Sequence, residues 1–212
     1  MARLRFDLSI SLDGFIAGPN PSQEHPLGEG GMQLHEWALE LAAWREPHGK
    51  EGGDVNASTQ IMQEMLADVG ATIMGRNMFG GGLGPWGDDP WEGWWGDEPP
   101  FHVPVFVLTH HAREPLHKGA TTFHFVTDGV ESALAQARQA AAGRDLSLGG
   151  GASVAQQFLA AGLVDEFCLS VVPILLGGGT RLLENLGADL SFEQAGVVDA
   201  PGVTHLKYRA VR

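Results

Sequence analysis

The chain has 212 residues, of which 43% are hydrophobic, and its 13 basic and 26 acidic side chains give a net charge of −13. This length supports one sizeable core, and we expect a single domain across residues 1–212. The acidic charge argues against nucleic acid or an anionic membrane as the main partner, because both require basic patches. The single cysteine, Cys168, excludes an intrachain disulfide and a cysteine-rich zinc site. No apolar run approaches the ~20 residues that span a bilayer, and no signal peptide is evident, so we expect a soluble cytoplasmic protein.

Hydrophobic periodicity divides the chain into strands that alternate with helices up to about residue 173. The sequence predicts strands over residues 4–12, 71–74, 104–108, 122–126, 145–148 and 165–173, and helices over 33–45, 57–69, 130–142 and 152–161. Two closing strands follow at residues 192–198 and 204–211. Alternation of this kind favours an α/β fold in which helices flank a mostly parallel central sheet, and the closing strands favour an antiparallel C-terminal pair.

Residues 79–100 form an insert rich in glycine and acidic side chains, with tryptophans at Trp86, Trp91, Trp94 and Trp95. The insert has neither helical nor strand periodicity, which predicts a long ordered loop. Its tryptophans can stack on a flat heteroaromatic substrate, close over that substrate as a lid, pack the loop onto the body of the protein, or form a dimer contact.

The sharpest local signal is a strand that ends in Gly149, Gly150 and Gly151 and leads directly into a helix. The first N–H groups of a helix lack partners and attract anions, and glycine lets a phosphate approach the backbone. Ser153 can add a hydroxyl. A tight turn that binds nothing fits the pattern equally well. The pattern is not the six-residue dinucleotide fingerprint, because Val154 replaces its last glycine, and it lacks the Gly-Lys-Ser/Thr of a P-loop.

Polar side chains also follow two other predicted strands. Arg76 comes directly after Gly75, where it can clamp a phosphate or form a surface ion pair. Thr109, His110 and His111 can contact an adenosine 2′-phosphate. A metal is the competing interpretation for the histidines, but adjacent histidines point apart and no regularly spaced third ligand follows, so we expect no metal site.

Asp13 and Gly14 follow the first strand and form at least a turn. If that strand is central in the sheet, its end also lies at the ligand crevice, and Ile16 and Ala17 can line a nicotinamide ring. Asp13 is then the first candidate for substrate binding or proton delivery. The alternative is that its carboxylate only caps its own turn.

Five stretches, taken in order, resemble the dihydrofolate reductase superfamily, and most closely the branch with the C-terminal reductase domain of the bifunctional riboflavin-biosynthesis deaminase-reductase. They are SLDGFIAG (11–18), ATIMGRNMF (71–79), VFVLTHH (105–111), LSLGGGASVAQQFLAAGLVDEF (146–167) and PILLGGGTRLL (173–183). The resemblance implies a dihydrofolate-reductase-like fold, NADPH as the cofactor and a homodimer. The implied activity is hydride transfer to a C=N or C=O group of a small heterocyclic substrate, either pterin-like or ribosylaminopyrimidine-like.

The resemblance also implies which residues surround NADPH. The pyrophosphate would be received by the glycine turn and the helix start, namely Gly149, Gly150, Gly151, Ala152, Ser153 and Val154. The pyrophosphate and 2′-phosphate side would be met by Gly75, Arg76 and Asn77, and the 2′-phosphate also by Thr109, His110 and His111. The nicotinamide would be bordered by Ile16, Ala17 and Gly18.

Two other function classes remain open at this point. One is a non-catalytic nucleotide-binding or protein-interaction protein that retains the fold, with the acidic insert as its contact surface. The other is a flavin-dependent or other nucleotide-using enzyme, since a glycine-rich helix start accepts any phosphate.

Overall fold

The computed structural model describes residues 2–22, 24–82, 84–88, 90–184, 186–187 and 190–211. Its strands are β1 (Leu4–Ser11), β2 (Phe15–Ala17), β3 (Val69–Gly75), β4 (Pro104–Leu108), β5 (Leu116–Lys118), β6 (Thr121–Val126), β7 (Asp145–Gly150), β8 (Glu166–Val172), β9 (Thr180–Arg181), β10 (Phe192–Ala200) and β11 (Val203–Ala210). Its helices are α1 (Glu36–Leu39), α2 (Ala42–Arg45), α3 (Ala57–Leu66), α4 (Arg76–Phe79), α5 (Val130–Ala141) and α6 (Ala152–Ala160). Short 3₁₀ helices lie at Gly31–His35 and Glu46–His48. Within the described ranges, no helix has the length and apolar character needed to cross a membrane.

Contacts divide the chain into two compact units, named here unit 1 (Met1–Phe6 and Asp68–Val164) and unit 2 (Asp7–Ala67 and Asp165–Arg212). The sheet of unit 1 has the order β1-β7-β3-β4-β6-β5, to which β1 contributes its first residues. The pairs β1–β7, β7–β3, β3–β4 and β4–β6 are parallel, and β5 pairs antiparallel with β6 at the edge of the sheet. The expectation of a single domain across residues 1–212 stays a prediction.

Unit 2 contains strands in the order β10-β11-β8-β1, and the pairs β10–β11 and β11–β8 are antiparallel. A separate small sheet pairs β2 with β9. The fold class predicted from the sequence is confirmed, because a mostly parallel central sheet, flanking helices and an antiparallel C-terminal strand pair are all present.

The helix predicted over residues 33–45 is broken into short pieces. Leu41, between α1 and α2, has an extended backbone with φ −71° and ψ 137°. The Asp54 amide donates to the Glu40 carbonyl at 2.7 Å, and the Ala42 amide donates to the Asp54 carbonyl at 2.9 Å. Asp54 therefore pairs with the backbone on both sides of Leu41 as a strand residue would. It takes up the Glu40 carbonyl and the Ala42 amide, which a continuous helix would bond internally.

A buried histidine links three elements of unit 2. His205 on β11 is 0% exposed. Its Nε2 lies 2.9 Å from the hydroxyl of Ser58 on α3, and its Nδ1 lies 2.8 Å from the hydroxyl of Ser170 on β8. Trp37 packs edge-on against the imidazole at 4.9 Å. Burial, with a smaller effect of the Lys207 charge, lowers the pKa of His205 to about 4, so the ring is neutral when the protein is folded.

We expect His205 to make stability pH-dependent. The unfolded chain binds a proton at this ring with a pKa of about 6.5, whereas the folded chain does so only near 4. The free energy of unfolding should therefore fall as the pH drops through this window, by on the order of 3 kcal/mol from this group. Urea unfolding of wild type and His205→Gln at several pH values isolates the effect, because the other titrating groups are common to both proteins. Equal pH dependence in the two proteins would contradict the assignment.

Candidate functional site

The parallel strands of unit 1 bring three predicted segments to one edge of the sheet. β3 ends at Gly75, β4 at Leu108 and β7 at Gly150. Gly75 pairs with Leu108 and Met74 with Gly150, so these strand ends adjoin. Ligands of α/β sheets bind at this kind of edge. The segments that lie together there are residues 75–77, 109–111 and 149–154.

The helix after the glycines begins without a side-chain cap. Gly151 is the N-cap residue of α6, with an extended backbone at φ −75° and ψ −172°. Its carbonyl accepts hydrogen bonds from the amides of Val154 and Ala155. A Cβ added at Gly151 would meet no atom within 4 Å. The start of α6 thus combines N–H donors that no side chain caps with open space beside the N-cap, the arrangement that accepts an anion.

The two preceding glycines have other surroundings. Gly150 has a φ of +117°, which disfavours any side chain, and its peptide bond to Gly151 is cis. A Cβ at Gly149 would lie 3.3 Å from the Met78 sulfur. The backbone conformation requires glycine at position 150, and close packing favours it at position 149.

Packing also explains two residues that the resemblance assigned to the phosphates. Val154 is buried, and a Cβ at Gly75 would lie 2.7 Å from its Cγ2. Glycine at position 75 therefore allows β3 to approach α6. Ala152 is buried as well, whereas Ser153 is exposed and its hydroxyl accepts a hydrogen bond from Gln157 Nε2 at 3.3 Å.

Arg76 is almost fully buried, with 6% of its surface exposed. Its Nε donates to the Gly80 carbonyl at 3.0 Å, one terminal nitrogen donates to the Gly81 carbonyl at 3.0 Å, and the other reaches the Thr109 hydroxyl at 3.4 Å. The Trp86 ring covers the guanidinium, with its centroid 3.1 Å from Cζ. Arg76 therefore binds the start of the insert, and a phosphate would compete for only part of its hydrogen-bonding capacity.

Replacing Arg76 with alanine should lower the free energy of unfolding by about 3 kcal/mol, because two charge-assisted hydrogen bonds and the contact with Trp86 are lost. Urea unfolding followed by tryptophan fluorescence measures the loss. Arg138→Ala is the matched control, since Arg138 is exposed on α5, and it should change stability by no more than about 0.5 kcal/mol. Equal small effects of both substitutions would show that Arg76 does not fasten the insert.

Thr109 and its neighbours form a compact turn after β4. Thr109 is buried, its amide donates to the Val126 carbonyl at 3.0 Å, and its hydroxyl accepts from the His111 amide at 3.2 Å. His110 is exposed and His111 is half-buried, while Asn77 on α4 is exposed. Among the described residues, no three His, Cys, Asp or Glu side chains are grouped so as to hold a metal ion.

Arg113 is a second cation at this edge that sequence reasoning did not assign to the site. The available signal was its position two residues after His111. Its guanidinium carbon lies 4.9 Å from the Trp86 ring centroid, so Trp86 contacts both Arg113 and Arg76. Burial lowers the pKa of both arginines, and the Arg113 charge lowers that of Arg76 further. The Glu92 charge already offsets part of the effect on the pKa of Arg113, and a phosphate near the pair would relieve the remaining repulsion.

The insert packs onto the body of unit 1. Lys118 forms ion pairs with Glu92 and Asp97. Trp94 is 36% exposed. The other tryptophans, Trp86, Trp91 and Trp95, pack against the core cluster of Met74, Phe79, Val105, Val107 and Phe123. Of the four roles considered for the tryptophans, packing onto the body is therefore the one these three residues fulfil.

The remaining predicted residues lie in unit 2. The Asp13 carboxylate accepts hydrogen bonds from the Ser11 hydroxyl at 2.6 Å, the Leu176 amide at 3.1 Å and the Gly177 amide at 2.7 Å. The Ser11 hydrogen bond, with help from the two amides, lowers the pKa of Asp13 to about 2. A carboxylate that is ionised at neutral pH has no proton to deliver, which favours a binding or holding role over proton delivery.

Ile16, Ala17 and Gly18 lie on and just after β2. Ile16 is buried and Ala17 is half-buried. The Gly18 amide donates to the Leu27 carbonyl at 2.8 Å. A Cβ at Gly18 would lie 1.8 Å from the Glu29 carbonyl oxygen, so the crossing of two chain segments requires glycine there.

The glycine turn, the uncapped helix and the adjoining parallel strand ends of unit 1 are typical of nucleotide-binding α/β proteins. The chain belongs to the RibD C-terminal domain family, which it matches over residues 2–206. The family resemblance stated from the sequence is thereby confirmed.

Solved structures show the same fold. A protein from Shewanella sp. PV-4, whose place in riboflavin biosynthesis is itself inferred, is 24% identical with a TM-score of 0.66, and the match covers 100% of both chains. A deaminase/5-amino-6-(5-phosphoribosylamino)uracil reductase from Thermotoga maritima is 12% identical with a TM-score of 0.55, over 99% of this chain and 57% of that one. Dihydrofolate reductase from Enterococcus faecalis, complexed with NADP(H), is 17% identical with a TM-score of 0.51, over 99% and 97% of the two chains. Among proteins with curated descriptions, none matches this chain.

Proposed function

We propose that the protein is an NADPH-dependent reductase that transfers hydride to a C=N or C=O group of a small ribosylaminopyrimidine-like substrate. The observation that carries the proposal is the uncapped start of α6, with open space at Gly151, in a chain of the RibD C-terminal domain family. Family membership and the reductase-type fold support an oxidoreductase of riboflavin biosynthesis, and the helix start supports a phosphate-bearing cofactor.

The residues at the edge of unit 1 fit the phosphates of NADPH. We assign the pyrophosphate to the turn and helix start at residues 149–154, where backbone N–H donors are not capped by side chains. We assign the 2′-phosphate to the turn after β4, where Arg113 and Arg76 contact Trp86 and His110 is exposed. A guanidinium is suited to this ligand because it can donate two parallel hydrogen bonds to one phosphate.

The assignment of the nicotinamide to residues 16–18 rests on the family resemblance alone. NADPH, when bound, supplies the hydride. The protein's part is then to bind the phosphates, orient the ring and exclude water. The homodimer and the cytoplasmic location stay predictions.

The substrate class follows from chemistry and from the reaction for which the Thermotoga maritima relative is named. A ribosylamine opens to its imine (C=N) form, and hydride addition to the imine carbon together with uptake of one proton by the nitrogen gives the saturated chain. Such an acceptor needs no metal to polarise it once it is protonated. We therefore propose 5-amino-6-(5-phosphoribosylamino)uracil or a close analogue as the acceptor.

Oxidation of NADPH, followed by its absorbance, tests the proposal with this acceptor and with dihydrofolate in parallel. We expect oxidation with the ribosylaminopyrimidine. Oxidation with dihydrofolate alone would move the substrate to the pterin class. NADPH binding without oxidation by either acceptor would favour a non-catalytic nucleotide-binding protein, and absence of NADPH binding would overturn the proposal.

A further inference from the structure

The turn after β1 is fastened to a glycine-containing loop, residues 174–179, named here the glycine loop. The two ends of the contact are far apart in sequence, since Asp13 and Gly177 are 164 positions apart. The Leu176 amide donates to one carboxylate oxygen of Asp13 at 3.1 Å, and the Gly177 amide donates to the other at 2.7 Å. Each oxygen therefore holds a different amide of the loop, so the carboxylate acts as a two-point clamp.

Further contacts extend the clamp along both segments. On the N-terminal side of the clamp in both segments, the Leu12 amide donates to the Ile174 carbonyl at 3.0 Å. After it, an Arg181 terminal nitrogen donates to the Asp13 carbonyl at 2.9 Å, and the Arg181 guanidinium lies over the Phe15 ring at 4.3 Å. The clamp is thus one link in a continuous series of contacts between the two segments.

The glycine loop lies directly against β2. Ala17 pairs with Thr180 in the small sheet. A Cβ at Gly179 would lie 2.1 Å from the Ala17 carbonyl oxygen and 2.6 Å from the Gly18 carbonyl carbon. The backbone of residues 16–18 therefore rests on the end of the glycine loop, and a shift of the loop would move it.

We propose that Asp13 is a positioning residue, which fixes residues 16–18 for the nicotinamide by holding the glycine loop through the amides of Leu176 and Gly177. The inference rests on the proposed function, because it takes NADPH as the ligand and residues 16–18 as the nicotinamide border. It assigns Asp13 a holding role in place of an acid–base role. The Ser11 hydroxyl completes the arrangement, because it donates to Asp13 and accepts a hydrogen bond from the Phe15 amide at 3.0 Å.

The test compares two probes in wild type and Asp13→Ala: NADPH, and adenosine 2′,5′-bisphosphate, which lacks the nicotinamide half. We expect Asp13→Ala to weaken NADPH binding about tenfold, as the loss of an ordering hydrogen bond does, and to leave the bisphosphate unchanged. Hydrogen exchange at the Leu176 and Gly177 amides should accelerate. Glu46→Gln is the matched control, since it removes one exposed negative charge of unit 2 and should alter neither affinity.

Asp13→Asn keeps the test valid if the alanine variant does not fold. Asparagine has one acceptor oxygen, so it can hold one of the two amides, while its NH₂ group meets the other amide as a second donor. We expect an intermediate loss of NADPH affinity in Asp13→Asn. Wild-type NADPH affinity should show no pH dependence from Asp13 between about pH 5 and 9, because the pKa of this carboxyl lies near 2 and it stays ionised over that range.

The outcomes separate this inference from the proposed function. If wild type binds NADPH and both Asp13 variants bind it equally well, the positioning role is overturned and the cofactor assignment stands. An equal loss for NADPH and the bisphosphate would assign Asp13 a general structural role and also overturn the inference. If wild type binds neither probe, the proposed function is overturned, and the positioning role that rests on it is overturned as well.

Discussion

Replacing Gly151 with aspartate should lower the affinity for NADPH by more than about 100-fold, the effect of losing several charge-assisted phosphate contacts and adding repulsion. The backbone at Gly151 is already extended, as a capping residue requires. The new carboxylate would accept hydrogen bonds from the first amides of α6 and would repel the pyrophosphate proposed to bind there. The stability of the free protein should rise by about 0.5 kcal/mol, because aspartate caps a helix better than glycine does.

The opposite signs of these two effects make the result easy to interpret. Damage to the fold would lower both the NADPH affinity and the free energy of unfolding. An anion site blocked by the new carboxylate would lower the NADPH affinity alone. Gly84→Asp is the matched control, because Gly84 belongs to unit 1, its Cβ would meet nothing within 4 Å, and the charge change is the same. Unchanged NADPH affinity in Gly151→Asp would remove the pyrophosphate from α6. Gly150→Val is less informative, since its φ of +117° adds strain of its own.

Replacing Arg113 with glutamine should weaken NADPH binding about 10- to 100-fold and leave NADH binding unchanged, because only NADPH carries the 2′-phosphate that a guanidinium would hold. Arg113 is half-buried against Trp86, which limits its motion and its hydration. The preference of wild type for NADPH over NADH should also shrink as salt is added. Fluorescence titration with both nucleotides at two salt concentrations measures these effects.

Arg138→Gln controls for the lost charge, because this exposed residue of α5 has no role in the proposed site. Equal losses for NADPH and NADH in the Arg113 variant would place Arg113 outside the 2′-phosphate site. Arg76 is a poorer test of the same point, because its buried guanidinium donates to two carbonyls of the insert, Gly80 and Gly81, and its removal should destabilise the insert more. Arg113 donates to one insert carbonyl, that of Trp91.

Elements with a clear local period were predictable from the sequence. β4 has its predicted bounds, residues 104–108, and α5 and α6 each end one residue before the predicted position. These segments carry enough residues for a repeat to be read. β2, β5 and β9 were missed, because each has two or three residues and exists only through pairing with another segment.

Long-range contacts explain the broken first helix. The spacing of Leu34, Trp37, Ala38, Leu41 and Trp44 predicted a single helix, and these residues do point largely inward. The break at Leu41 arises from hydrogen bonds with Asp54, which lies in a polar loop without any period. Tertiary pairing with Asp54 overrides helical propensity at Leu41, and no local sequence pattern indicates this pairing.

For the candidate site, the sequence predicted which segments lie at strand ends better than it predicted the hydrogen-bond partners of their side chains. It placed residues 75–77, 109–111 and 149–154 at strand ends, and parallel strands do bring these segments together. It did not reveal that Arg76 donates to Gly80 and Gly81, because the insert that follows has no regular structure. The amide partners of the Asp13 carboxylate lie more than 160 positions away, beyond the reach of any local pattern.

Calorimetric titration of the protein with NADPH and with NADH at low salt is the decisive measurement, because the two nucleotides differ only in the 2′-phosphate for which the site is proposed. We expect saturable binding of one NADPH per chain, at least about tenfold tighter than NADH, because NADPH adds one phosphate contact. Absence of NADPH binding, or equal affinity for the two nucleotides, would contradict this expectation.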